Sequence, residues 1–201
     1  MNDQTILKQK RGWTHQADNR ERLIAAGSTI LSEKGIEATT VKEIARRAGV
    51  SPGLFHYYFA TKDELLLAIV YEAGARFGEQ LMQEMRGVAT AQGFSERAMF
   101  AVAAVTRRDP TWYRLRYELY ALGLRKAAFL PAVAQMLEKG RQGIATTIQQ
   151  YTGMDEAQAQ AIAAIVHACT DGLALQYIAQ PDLDLTEAYR QLQQLFIVKE
   201  S

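Results

Sequence analysis

Apolar positions along this 201-residue chain recur every three to four residues, and no stretch alternates apolar and polar for long enough to suggest a strand. The pattern predicts an all-α protein of nine helices, near 18–34, 41–48, 52–59, 62–87, 94–108, 110–125, 129–151, 155–179 and 184–197. Start signals support these positions. Asp18 with Glu21, Thr40 with Glu43, Thr61 with Glu64 and Asp184 with Glu187 have capping-box spacing, in which a side-chain acceptor and a returning carboxylate satisfy free amides. Ser51-Pro52 and Asp109-Pro110 place proline in a first helical turn, where its missing N–H costs nothing.

The stretch TTVKEIARRAGVSPGLFHYYF holds two of these helices close together. Val41, Ile44, Ala45 and Ala48 share one face, Gly49 is suited to end the first helix, and Ser51 starts the next. This is helix-turn-helix spacing. In the second helix Phe55, Tyr58 and Phe59 are expected to point inward, which leaves Pro52, Gly53, His56 and Tyr57 on the opposite side without a packing role. Lys62 sharpens the expectation, because a lysine in a first helical turn opposes the helix dipole unless an anion is near. Three helix starts, at Thr40, Ser51 and Thr61, fall within one short segment, and free amides at helix starts suit phosphate.

Charge is polarised. Residues 1–62 carry ten Lys/Arg against six Asp/Glu, while the remainder carries thirteen against sixteen, which suggests an anion-binding N-terminal module on a mildly acidic body. The longest wholly apolar run, Ala98 to Val105, is far short of a membrane span, and the polar N-terminus has no signal-peptide core. A cytoplasmic protein is expected. The single cysteine, Cys169, excludes an internal disulfide and a paired-thiolate metal site. Residues 1–17 read as a flexible basic arm, with Lys8, Lys10 and Arg11, joined by Arg20 just beyond, as candidates to reach phosphates or a minor groove.

With IARRAGVS at 44–51, Gly53, Phe59, Lys62 and Leu65, the chain resembles the TetR family of bacterial transcriptional regulators. The strong resemblance covers residues 20–67, and HACTDGLALQYI at 167–178 looks most like a segment of the BetI-like branch. His56 stands where the family usually has tyrosine. The resemblance implies a three-helix DNA-binding domain at 18–67 and a helical ligand-binding and dimerisation domain at 68–201. It implies a homodimeric, ligand-responsive repressor of double-stranded operator DNA. Thr40, Ser51, His56 and Lys62 are then expected on phosphates, with Pro52, Gly53, Leu54 and Tyr57 facing bases.

The larger region carries aromatics and methionines with a few polar groups among them. An elongated pocket lined by some of Phe100, Trp112, Tyr113, Arg116, Tyr117 and Tyr120 is expected, for an apolar or aromatic small molecule with an anionic or hydrogen-bonding end at Arg116. The helix at 155–179 is apolar on nearly all sides and so must be buried all round. With the helix at 184–197 it is expected to pair with its counterparts in a second subunit, through Ile162, Ile165, Cys169, Leu173, Leu192 and Phe196. An enzyme fits poorly. His167 and Asp171 share a helical face, but no third ligand or nucleophile follows at a recognisable spacing, so no metal and no cofactor is expected. The competing class is a helical adaptor or small-molecule-binding protein without DNA binding.

Overall fold

The structure is a computed structural model that describes the backbone of residues 3–194 and the side chains of residues 18–194. Among these residues there are nine α-helices, a short 3-10 turn and no strand. The helices are α1 (Asp3–Ala38), α2 (Val41–Ala48), α3 (Pro52–Tyr58), α4 (Lys62–Glu84), α5 (Ala91–Arg108), α6 (Thr111–Arg125), α7 (Leu130–Thr152), α8 (Glu156–Ala179) and α9 (Thr186–Gln193). The 3-10 turn is Ala127–Phe129. Two compact units are formed, Met1–Glu72 and Ala73–Ser201, so the division falls a few residues later than expected.

Several ends are set by the predicted caps. Thr40, Ser51 and Thr61 each accept the backbone N–H three residues on, at 3.1 to 3.2 Å. Gly49 adopts the left-handed conformation that closes α2. At the other end of the chain the expectation fails. The expected helix start at Asp18 and the flexible arm before it are replaced by a helix whose backbone reaches Asp3, and the sequence there holds no proline and a single glycine to stop it. The side chains of Lys8, Lys10 and Arg11 lie outside the described residues. Gly35, at φ 76° and ψ 174°, breaks α1 just past the predicted end at residue 34.

In the first unit, α1, α2, α3 and the start of α4 close over Leu23, Ile24, Ile30, Ile44, Phe55, Phe59, Leu65 and Ile69, all at most 2% exposed. Each such side chain contributes about 1.5–3 kcal/mol by leaving water. In the second unit α7 lies along α8, and α5 packs on α9. Its core joins Phe94, Met99, Val102, Ile148, Val166, Tyr189 and Leu192. By length and hydropathy α8 is apolar enough to cross a membrane, a property it shares with core helices of globular proteins, and 28% of its most apolar window is buried within the chain.

Candidate functional site

The first unit presents its predicted reading face outward. Phe55 is fully buried on α3 and Phe59 follows at 2% exposed, so the helix is anchored by those rings. Pro52, Gly53 and His56 are exposed on the other side, Leu54 is half-buried, and Tyr57 is 68% exposed. Tyr58 is half-buried and stands edge-on to Tyr57, with centroids 5.0 Å apart. Thr40 and Ser51 are exposed at the starts of α2 and α3. Each hydroxyl already accepts an amide N–H, which leaves its own proton to donate outward.

Lys62 does something other than expected. Its ammonium donates to the carbonyls of Ile36 and Thr39, each at 2.9 Å. Two of its three donors are therefore committed within the fold, which leaves one for any outside acceptor. The partial negative charge of the carbonyls following the break in α1 offsets the unfavourable placement of Lys62 in a first helical turn. Neighbouring cations are similarly engaged. Arg47 makes a two-pronged pair with Glu33 at 3.1 Å, Lys34 pairs with Glu43 at 2.5 Å, and Arg20 lies over the Phe59 ring.

In the second unit the predicted aromatic residues do meet, but around a closed polar cluster instead of an open pocket. Arg116 is 4% exposed. Its guanidinium pairs with Asp171 at 2.9 Å, donates from Nε to the Tyr120 hydroxyl at 2.6 Å, and meets His167 Nε2. The rings of Trp112, Tyr113 and Tyr120 stand within 6 Å of it, close enough for cation–π attraction. Tyr117 donates to the Asp171 carbonyl at 2.6 Å, and Tyr120 to the Asp171 carboxylate at 3.2 Å. Arg116 is thus neutralised inside the chain, which corrects the reading of it as an open anchor. Phe100 is 36% exposed and stands apart from these contacts. The cavities described both lie in the first unit. One is a void of about 10 Å³ beside Lys62, and the other is an open groove of about 360 Å³ along Arg22, Thr29 and Arg47.

Burial raises the titration of Tyr113, Tyr117 and Tyr120, the last to about 12. Burial also raises Asp171, outweighing the Arg116 charge. For His167, burial and then Arg116 favour the neutral ring, whose pKa falls from 6.5 to about 4. A neutral ring suits the contact, since Nε2 facing a guanidinium must accept. As pH falls below 6.5 the unfolded chain takes up this proton before the folded one does. Stability from His167 is therefore full above about 6.5 and lost progressively down to about 4. Asp171 acts in the opposite sense, adding stability as pH falls through its raised pKa and completing that gain at its ordinary 3.8. Urea titrations between pH 7 and 4.5 should show the loss, and His167→Asn should flatten it; an equal slope in that variant would assign the effect elsewhere.

The expected association face is also redrawn. Leu192 is 7% exposed and belongs to the core of the second unit, with Ile162 and Leu173 half-buried against it. They are core because α9 folds back on α5, which also packs on α8, and the side chains of these helices share one apolar cluster. Phe196 lies outside the described residues. What remains open is a stripe at helical spacing along α8: Ala161, Ile165, Ala168, Cys169, Gly172 and Leu175. Ile165 and Leu175 are 50% and 52% exposed. Among the described residues no group of three or more His, Cys, Asp or Glu is placed to hold a metal ion.

Comparison with known proteins agrees with this layout. Residues 23–69 match the family described as bacterial regulatory proteins, tetR family. The HTH-type transcriptional regulator BetI of Rhizobium meliloti is 37% identical over 71 residues, 35% of each chain. HbdR of Aromatoleum is 30% identical over 96 residues, 47% of this chain and 42% of its own. The match thus spans less than half the length of these relatives. Likeness of fold extends further. A transcriptional regulator from Rhodococcus is 27% identical with a TM-score of 0.65, over 88% of this chain and 92% of its own. The multidrug binding protein EbrR, solved with imidazole, is 26% identical with a TM-score of 0.68, over 90% and 96%. These proteins are described as regulators or binding proteins and not as enzymes. The N-terminal unit thus matches the TetR family description over residues 23–69, and the helical body shares its fold with solved transcriptional regulators.

Proposed function

We propose that the protein is a cytoplasmic, homodimeric repressor that binds operator DNA through α3 and is released by a small apolar or aromatic effector. The observation that carries the DNA-binding part is the division of α3 into a buried face at Phe55 and an outward face led by Tyr57. Thr40, Ser51 and His56 hold phosphates, while Pro52, Gly53, Leu54 and Tyr57 face bases. In the dimer the open stripe of α8 pairs with itself, and the two reading helices must sit about 34–36 Å apart, or a multiple of that, to enter successive major grooves. Effector binding changes that separation. The aromatic cluster around Arg116 supports an effector site, as does the likeness to a multidrug binding protein. Opening that cluster requires a molecule that binds the released form more tightly than the DNA-bound form.

Selection of bound fragments from random DNA, followed by a salt titration on the winner, tests this reading. Affinity should fall steeply with salt. Tyr57→Ala should cost about 1–3 kcal/mol on the selected site and little on unrelated duplex, because base contacts rather than charge are lost. A wild-type protein with no salt-dependent DNA affinity sinks the regulator reading and favours a helical adaptor.

A further inference from the structure

We infer that Lys62 is a positioning residue for DNA binding, pinning the connector that presents α2 instead of touching DNA itself. The inference rests on the DNA-binding reading above. The connector is the segment from Gly35 to Thr40, and its carbonyls show what Lys62 contributes. The Gly35 carbonyl accepts the Thr39 hydroxyl at 2.7 Å, and the Thr40 carbonyl accepts the Ile44 N–H at 3.1 Å. The Ile36 carbonyl has a longer bond from the Thr39 N–H, at 3.3 Å. Lys62 supplies the stronger bond to Ile36 and also takes Thr39, at 2.9 Å each. A single ammonium therefore bridges two carbonyls three residues apart, immediately before the exposed Thr40 that starts α2.

The surroundings make this bridge hard to replace. The void lined by Lys62, Leu31, Ile36, Leu65 and Leu66 holds about 10 Å³, at most one water. Thr39 itself is 2% exposed. Without Lys62 its carbonyl would be left in an apolar wall, at a cost comparable to a lost hydrogen bond. Since Lys62 is the first residue of α4, the pin ties the start of α4 to the start of α2. The height of the Thr40 hydroxyl is then set by α4.

The test compares Lys62→Met, which keeps the stem and removes the donors, with Lys62→Arg, which keeps donors. Amide exchange is read at Glu43 and Ile44 in the free protein, because these amides bond to Thr40. Affinity and salt slope are read on a DNA fragment selected by the wild type. Lys62→Met should speed both exchanges at least tenfold and weaken DNA binding at least tenfold, with the salt slope of the wild type. Lys62→Arg should recover most of each. If Lys62→Met does not fold, Lys62→Gln, with a neutral donor, takes its place with the same expectations at a smaller size. A slope reduced by about 1 with exchange unchanged would make Lys62 a phosphate contact and overturn the inference. Unchanged exchange together with unchanged affinity would overturn it too. Should the wild type bind no DNA, the regulator reading fails on that result alone, while exchange still reports whether the pin exists.

Discussion

Ile165→Glu combined with Leu175→Glu should convert a dimer into a folded monomer. Both side chains are about half exposed on the open stripe of α8. In the single chain their replacement places charge in water and costs little. In a dimer that pairs these stripes, four carboxylates would be desolvated without partners, at several kcal/mol per ion. Sedimentation at micromolar concentration should read about twice the 22.4 kDa chain mass for the wild type and the single mass for the variant. Helical circular dichroism should be unchanged. Leu192→Glu is the contrasting control, since Leu192 sits in the core of the second unit and a charge there should unfold it. A monomeric wild type would end the dimer proposal, and with it the requirement that two reading helices be held one helical repeat apart.

Arg116→Met should be the most destabilising single change in the second unit. It leaves Asp171, whose side chain is 17% exposed, without its cation, and breaking a buried pair typically costs about 3–5 kcal/mol. That is a large part of the 5–15 kcal/mol by which domains are usually stable. Asp171 Oδ1 lacks a hydrogen-bond partner, so the carboxylate's other support is the Tyr120 hydroxyl at 3.2 Å. Adding Asp171→Leu to Arg116→Met removes both charges, and most of the lost stability should return. Urea unfolding of the two variants measures this directly. A loss under about 1 kcal/mol in the single variant would mean that the cluster is wet and weakly paired. The double variant also separates roles. If it folds and still binds operator but no longer responds to an effector that releases the wild type, the cluster serves recognition as well as stability.

Much of the molecule was legible because it depends on neighbours a few residues apart. Thr40, Ser51 and Thr61 cap helices through amides three residues on, and Gly49 ends α2 through its own backbone freedom. The outward face of α3 follows from the helical period once Phe55 and Phe59 are assigned inward. Local chemistry therefore sufficed for the helix order and for the division of α3 into a buried and an exposed face. Even locally, a capping pair was insufficient at Asp18, where nothing upstream stopped the helix.

What the tertiary structure alone decided are the partners of charges and the ownership of apolar faces. Lys62 reads from sequence as a cation seeking an anion, but which one depends on carbonyls 26 and 23 residues away. Arg116 reads as an anchor for a ligand until Asp171 and His167 arrive beside it from another helix. The four-residue spacing of His167 and Asp171 did signal a shared face, without showing what that face would meet. Leu192 and Ile165 are equally apolar in sequence, yet one is buried within the chain and the other is left half exposed. Burial energy does not depend on which surface supplies the cover, so an apolar residue records that it will be covered, while chain topology determines by what.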